Sequence, residues 1–350
     1  MNYSVKKYIT VLITVALYAL LFVFSGEVKL HAENAVTLCT KIIVPSVFPV
    51  LTLSNTLLLY GFPNAFQKIL VIPAKHIFGL YDRSAVSVLF ALTGGYPVGV
   101  KNARAMYEKN LISKSEAERL ALVFVCPGLS FTLSVSGAFF GSAAAGATLF
   151  FSCTAAAVSL GFAMRLLYGT EKSSLTTVPE LPFRQALITS AEKSFNSVLS
   201  ICSYIILFAS MSAILGEILP DKIAFAVNPL LEVTSGIQSA AQKENIVFAA
   251  FLCGFGGFSV IIQLMSDIKA LDISVVKFVA FRFITGVLSA VYELLTVSLL
   301  NLAFPTADIY RYELYTNSFS GSAMLISMTI LLILSVMQTN ENQSAPTDRY

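Results

Sequence analysis

Residues 8–24 form a predominantly apolar run of seventeen. Comparable stretches follow near 42–60, 84–100, 120–136, 137–167, 195–219, 223–240, 246–265, 278–300 and 322–337. Runs of this length can cross the roughly 30 Å hydrocarbon core of a bilayer as helices. The composition agrees: 12% of the 350 residues are charged and 56% are hydrophobic, with mean hydropathy +0.76. Soluble domains carry about 25% charged residues. The pattern predicts an all-α polytopic membrane protein of about eight to ten hydrophobic segments. It excludes a soluble enzyme, a disordered chain and a disulfide scaffold. The net charge of +3 provides no basic stripe for nucleic acid.

Lys6 and Lys7 precede the first run, and no small-residue cleavage site follows it. This reads as a first transmembrane helix with its lysines in the cytoplasm. The connection at 62–83 carries Lys68, Lys75 and Arg83, which keeps positive charge on the same side. The five cysteines are scattered and form no C-x-x-C pair. His31 and His76 have no Cys or carboxylate at ligand spacing. No metal or cofactor is expected. Nucleophile and phosphate-loop patterns are also missing from the string, so the reading is not an enzyme.

Several apolar segments carry helix breakers. The first is Gly94-Gly95-Tyr96-Pro97-Val98-Gly99, the second Cys126-Pro127-Gly128, the third Gly254-Phe255-Gly256-Gly257-Phe258-Ser259. Glycine clusters and internal proline unwind helices. At membrane depth, unwound backbone is tolerated only against protein or a water-filled cavity. Close packing through small residues is the competing account. Gly94-Gly95-Tyr96-Pro97-Val98 lies 162 positions before Gly256-Gly257-Phe258-Ser259-Val260, and the same shift lays 42–60 on 204–222 and 120–136 on 282–298. Interrupted segments at matching places in two halves point to a transporter's binding site.

The predicted organisation follows. Residues 1–40 hold a transmembrane helix and a short loop. Residues 41–169 form a first repeat with its Gly-rich broken segment, 170–194 a polar linker, and 195–337 a second such repeat. Residues 338–350 form a disordered polar tail. Residues 101–119 hold five Lys/Arg and 266–277 hold two. That asymmetry favours inverted repeats.

At these residues the chain resembles a known group. Pro45-Ser-Val-Phe-Pro49, Thr93-Gly-Gly-Tyr-Pro-Val-Gly-Val-Lys101, Ile112-Ser-Lys-Ser-Glu-Ala-Glu-Arg-Leu120, Leu230-Leu-Glu-Val-Thr-Ser-Gly236 and Gly254-Phe-Gly-Gly-Phe-Ser259 occur in this order. Together they resemble the YlbJ family of sporulation membrane proteins, within the group carrying the nucleoside-recognition or Gate domain. The resemblance covers about 41–298. It departs at Val123-Phe-Val-Cys-Pro-Gly128, where the family commonly has Asn-rich residues. The resemblance implies a multi-pass protein of the outer forespore membrane. It also implies transport of dipicolinate from mother cell toward forespore.

Dipicolinate is a flat dicarboxylate, so cationic groups, helix N-termini and an aromatic face suit it. The candidate substrate-binding residues are Gly94, Gly95, Tyr96, Lys101, Arg104, Gly256, Gly257, Phe258, Ser259 and Arg282. Competing accounts are a solvated face for Lys101 and Arg104, snorkelling for Arg282, and packing for Tyr96 and Phe258. Glu232 and Glu293 are candidates for proton coupling, because an ionisable group at membrane depth is costly. A structural or hydroxyl-bonded role competes there. Glu293 lies eleven positions from Arg282, about 16 Å along a helix, which is too far to pair. The expected partners are a small anionic solute (dipicolinate) and membrane lipid, with no nucleic acid; a homo-oligomer or a partner membrane protein stays open. A nucleoside or metabolite carrier and a non-transporting scaffold of spore envelope assembly are the alternatives.

Overall fold

The computed structural model describes residues 3–61, 64–80, 82–169 and 181–300. Every regular element among them is helical. The expected segment at 322–337, the tail at 338–350 and most of the linker's first half lie outside the described residues.

The chain opens with α1 (Tyr3–Val23), which turns by 91° at Phe24 into α2 (Ser25–Leu38). The expectation of a loop after the first helix is corrected here. The Ala/Glu/Lys content of α2 favours helix, and the Lys29–Glu33 pair at i,i+4 adds support. A π-helical turn, Cys39–Ile43, leads into α3 (Val44–Tyr60). After α4 (Asn64–Phe78), α5 (Asp82–Gly94) and α6 (Tyr96–Glu108) meet at Gly95. Then come α7 (Lys114–Val123), α8 (Leu129–Phe131), a second π-helical turn at Thr132–Ser136, and α9 (Gly137–Phe139). The long helices are α10 (Ala143–Tyr168), α11 (Phe183–Ile218) and α16 (Val275–Leu300). Between the last two lie α12 (Asp221–Leu231), α13 (Val233–Gln242), α14 (Ile246–Phe255) and α15 (Gly257–Ala270).

Four helical stretches are long and apolar enough to cross a membrane: Ala143–Tyr168, Phe183–Ile218, Ile246–Ala270 and Val275–Leu300. The bent pair at the N-terminus raises the number to five among the described residues. The sequence segments 84–100, 120–136 and 223–240 are not continuous spans. They break at Gly95, at Phe124–Gly128 and at Glu232. α11 starts at Phe183, behind the N-cap Pro182, twelve residues ahead of the apolar run expected at 195. Its 36 residues extend roughly 54 Å.

α16 packs along α14 and α10, and α11 packs along α3 and α2. The larger core gathers α5, α6, α7, α10, α13, α14 and α16 around Leu120, Phe124, Leu149, Leu252 and Phe278, all nearly or fully buried. One group of long-range contacts joins the first half of the chain to the second at a near-constant separation. Cys39 with Cys202, Tyr96 with Cys253, Arg104 with Asp267, Lys114 with Asp272, Glu118 with Lys277 and Val125 with Arg282 are 157 to 163 positions apart.

Candidate functional site

Four breaks in helices come together at one point. Gly95 has φ +94°, a conformation that a side chain strains, and it ends α5 while its carbonyl starts α6. A Cβ on Gly128 would lie 2.8 Å from the Thr93 carbonyl and 2.9 Å from Gly95 N, so the unwound stretch before α8 presses directly on the first break. Gly256 and Gly257 have φ +84° and +75° and divide α14 from α15. A Cβ on Gly256 would touch the Tyr96 ring at 3.4 Å; one on Gly257 would lie 3.1 Å from Val233 N, beside the fourth break. Tyr96 fastens the first break to the third, since its hydroxyl donates to the Cys253 carbonyl at 2.7 Å.

The fourth break is built by Glu232. It adopts an extended conformation (φ −140°, ψ 125°) between α12 and α13. Its carboxylate then caps α13, accepting from Thr234 N at 2.9 Å, Ser235 N at 2.7 Å and the Ser235 hydroxyl at 2.8 Å. An acidic side chain suits the positive end of a helix dipole. Glu232 is only 1% exposed.

A cavity of about 60 Å³ sits among the four breaks. By the space one water requires, it has room for a handful of water molecules. Gly94, Gly95, Tyr96, Gly128, Glu232 and Ser259 are in its wall, with Thr234 and Gln263 beside them and Tyr204 of α11 opposite. Its wall contains no Lys or Arg, and Glu232 is its one charged residue. The N-termini of α6, α13 and α15 reach it through Tyr96 and Pro97, Val233 and Thr234, and Ser259 and Val260. α6 and α15 carry no side-chain cap.

Of the residues singled out in the sequence, Gly94, Gly95, Tyr96, Ser259 and Glu232 line the cavity, while Gly256 and Gly257 form the break behind it. The others lie elsewhere. Phe258 faces outward, 40% exposed, and packs edge-on against Phe255. Lys101 is half-buried, with Nζ 3.4 Å from the Ser197 hydroxyl. Arg104 pairs with Glu108 at 2.7 Å and Asp267 at 2.9 Å. Lys101 and Arg104 are five and eight positions beyond Tyr96, about 7 and 12 Å along α6, which takes them past the cavity.

Arg282 does not snorkel: it is fully buried. Its guanidinium donates to the carbonyls of Val125, Gly254 and Leu122 and to the Thr285 hydroxyl. It therefore satisfies carbonyls that the second and third breaks release, and it is not among the residues lining the cavity. Glu293 is fully buried on α16 and accepts from the Ser152 hydroxyl at 2.6 Å, far from Arg282's partners. Sequence reasoning missed Thr234 and Gln263. Thr234 lies inside the Leu230–Gly236 motif, which is a weak signal; a lone glutamine in an apolar helix is the only signal for Gln263. Among the described residues no group of three or more His, Cys, Asp or Glu could hold a metal.

Fold and cavity together define an all-α, multi-pass integral membrane protein built from broken helices. The chain is similar to the sporulation integral membrane protein YlbJ of Bacillus subtilis (strain 168). The two are 23% identical over 348 residues, covering 86% of this chain and 85% of the relative. The chain is thus YlbJ-like, as its motifs indicated. No protein-family model matches it, and no solved structure does.

Proposed function

We propose that this chain is a sporulation membrane carrier. It moves a small anionic solute, dipicolinate foremost, from mother cell toward forespore by alternating access. Its membrane would be the outer forespore membrane. One observation carries the reading: four helix breaks gather around one partly open cavity in a protein of membrane-spanning composition. Unwound backbone at membrane depth is tolerated where protein buries it or a water-filled cavity meets it, and here a cavity is present; discontinuous helices at the substrate site are a common construction of secondary transporters. The relative's name supports the sporulation setting.

Six of the contacts between the halves share a separation of 157–163 positions, which supports two related repeats; other cross-half contacts, such as Ser152 with Glu293, do not share it. Glu232 and Glu293 are the carboxylates that would exchange protons during the cycle.

The test is uptake of radiolabelled dipicolinate into vesicles from a non-sporulating host expressing the full chain, with and without a pH gradient. Nucleoside uptake is measured in parallel. Wild-type uptake of dipicolinate that Glu232→Gln abolishes, at equal protein level, supports the reading. Nucleoside uptake in its place shifts the substrate class. Neither uptake, with correct insertion, overturns a solitary carrier and moves the weight to a partner subunit or a scaffold role.

A further inference from the structure

We infer that the cavity binds a small carboxylate through backbone N–H groups and uncharged donors alone, in direct competition with the carboxylate of Glu232. The inference deepens the carrier reading and rests on it for the cavity's role as the solute site.

Three observations meet here. First, the N-termini of α6, α13 and α15, each a helix of ten residues or more, converge on one small volume. Helix N-termini attract anions through their free N–H groups and their dipoles; α6 acts mainly through its dipole, because Pro97 has no N–H and the Val98 N–H donates to the Gly95 carbonyl. Second, the α13 N-terminus is already occupied by an anion. The Glu232 carboxylate accepts two backbone N–H bonds and a hydroxyl, and its wall neighbours include no cation. Three donors around one carboxylate are what an incoming carboxylate would require. Third, the wall holds donors with nothing to bind. Thr234 Oγ1 and Gln263 Nε2 are shielded from solvent and have no hydrogen-bond partner, and Thr234 is only 1% exposed. Buried polar groups are nearly always satisfied. Of the thirteen such orphan atoms among the described residues, these two alone belong to residues of this wall, and a ligand bearing acceptor oxygens would satisfy both.

Glu232 is thus a tethered stand-in for the solute. While its charge occupies the site, a second carboxylate meets like-charge repulsion at close range. When that charge is removed or withdrawn, the uncapped N-terminus of α15, the Thr234 hydroxyl and the Gln263 amide are open to a solute carboxylate. This accounts for an anion site whose wall contains no Lys or Arg.

The experiment is acetate binding to the purified full-length chain in detergent, by calorimetry and thermal shift, with chloride at equal ionic strength as control. Glu232→Gln keeps an oxygen for the α13 N–H groups and removes the charge. It is expected to bind acetate about tenfold more tightly than wild type, the scale of one helix-terminus charge interaction. Thr234→Val added to Glu232→Gln is expected to lose several-fold of that gain, and chloride is expected to reproduce neither effect. Equal acetate affinity in wild type and Glu232→Gln overturns the inference, as does equal stabilisation by chloride. If Glu232→Gln fails to fold, Gln263→Leu tests the same wall in the native chain. A weaker acetate thermal shift than wild type supports the site; an unchanged shift overturns it. Acetate binding as predicted, together with absent vesicle uptake, would sink the carrier reading while leaving this site standing.

Discussion

The Tyr96 hydroxyl donates to the Cys253 carbonyl at 2.7 Å, across 157 positions of sequence, and so ties the start of α6 to the end of α14. It joins two of the four breaks in the protein's interior. Removing the hydroxyl would leave a buried carbonyl without this donor. Tyr96→Phe is expected to lower stability by about 1–3 kcal/mol, measured by denaturant unfolding in detergent. A loss below about 0.5 kcal/mol, the size of an ordinary surface change, would show that the two breaks are held together by something else.

Arg282 tests the same architecture from behind. Its planar fork reaches Val125, Gly254 and Leu122 at once, and a lysine ammonium cannot reproduce that geometry. Arg282→Lys therefore strands at least one carbonyl of an unwound segment. Bonds involving a charged partner contribute about 1.5–3 kcal/mol each, so Arg282→Lys is expected to cost at least that much of unfolding free energy. If Arg282→Lys matches wild type, the arginine is not what holds the broken segments.

Glycines in and out of the breaks should respond with opposite signs. Gly128→Ala drives a methyl to 2.8 Å from the Thr93 carbonyl, while nothing lies within 4 Å of a Cβ on Gly26, inside α2. Gly128→Ala is expected to destabilise clearly. Gly26→Ala is expected to be neutral or to stabilise by up to about 1 kcal/mol through helix propensity. Comparing the two unfolding midpoints is the check; equal shifts would contradict the close approach of Gly128 to the first break.

The outer ion pairs should matter far less. The hydrogen bond from Lys114 and its charge hold the Asp272 carboxyl below the usual carboxylate range, and Asp272 in turn raises Lys114. A lowered carboxylate contributes stability that is present above its unfolded value and lost as pH falls through the folded one; a raised lysine's contribution is lost as pH rises past its own. Both side chains are exposed, so salt screens the pair. Asp272→Asn is expected to leave the thermal midpoint unchanged at 0.15 M salt, with any difference at low salt and neutral pH vanishing as the carboxylate range is crossed downward. A marked loss at 0.15 M salt would contradict this.

The breaks were legible in the sequence because Gly and Pro act locally: Gly95, Gly128 and Gly256 all punctuate helices where the string suggested. Glu232 was legible as an acid inside an interrupted apolar segment. Its capping of α13 was not, because that depends on the chain turning extended at one residue. The cations misled for a geometric reason. Lys101 and Arg104 follow the first break closely in sequence, but a helix carries successive residues away at about 1.5 Å each. Arg282 reaches the Gly254 carbonyl at the third break yet commits its guanidinium to backbone carbonyls and does not line the cavity. Sequence adjacency gives distance along an element and not the face presented to a cavity. The six cross-half pairs were out of reach too, since each joins residues more than 150 positions apart.

A transported solute is expected to occupy the cavity among the breaks. Ser259 is 4% exposed and lines that cavity, and the five native cysteines are all buried. Ser259→Cys in membrane vesicles, labelled by a small hydrophilic thiol reagent with and without dipicolinate, tests the claim most directly. At solute concentrations ten times the dissociation constant about one site in eleven is empty, so the labelling rate should fall about tenfold, while Gly26→Cys, outside the cavity, keeps its rate. Labelling of Ser259→Cys at the same rate with and without the solute would contradict the account.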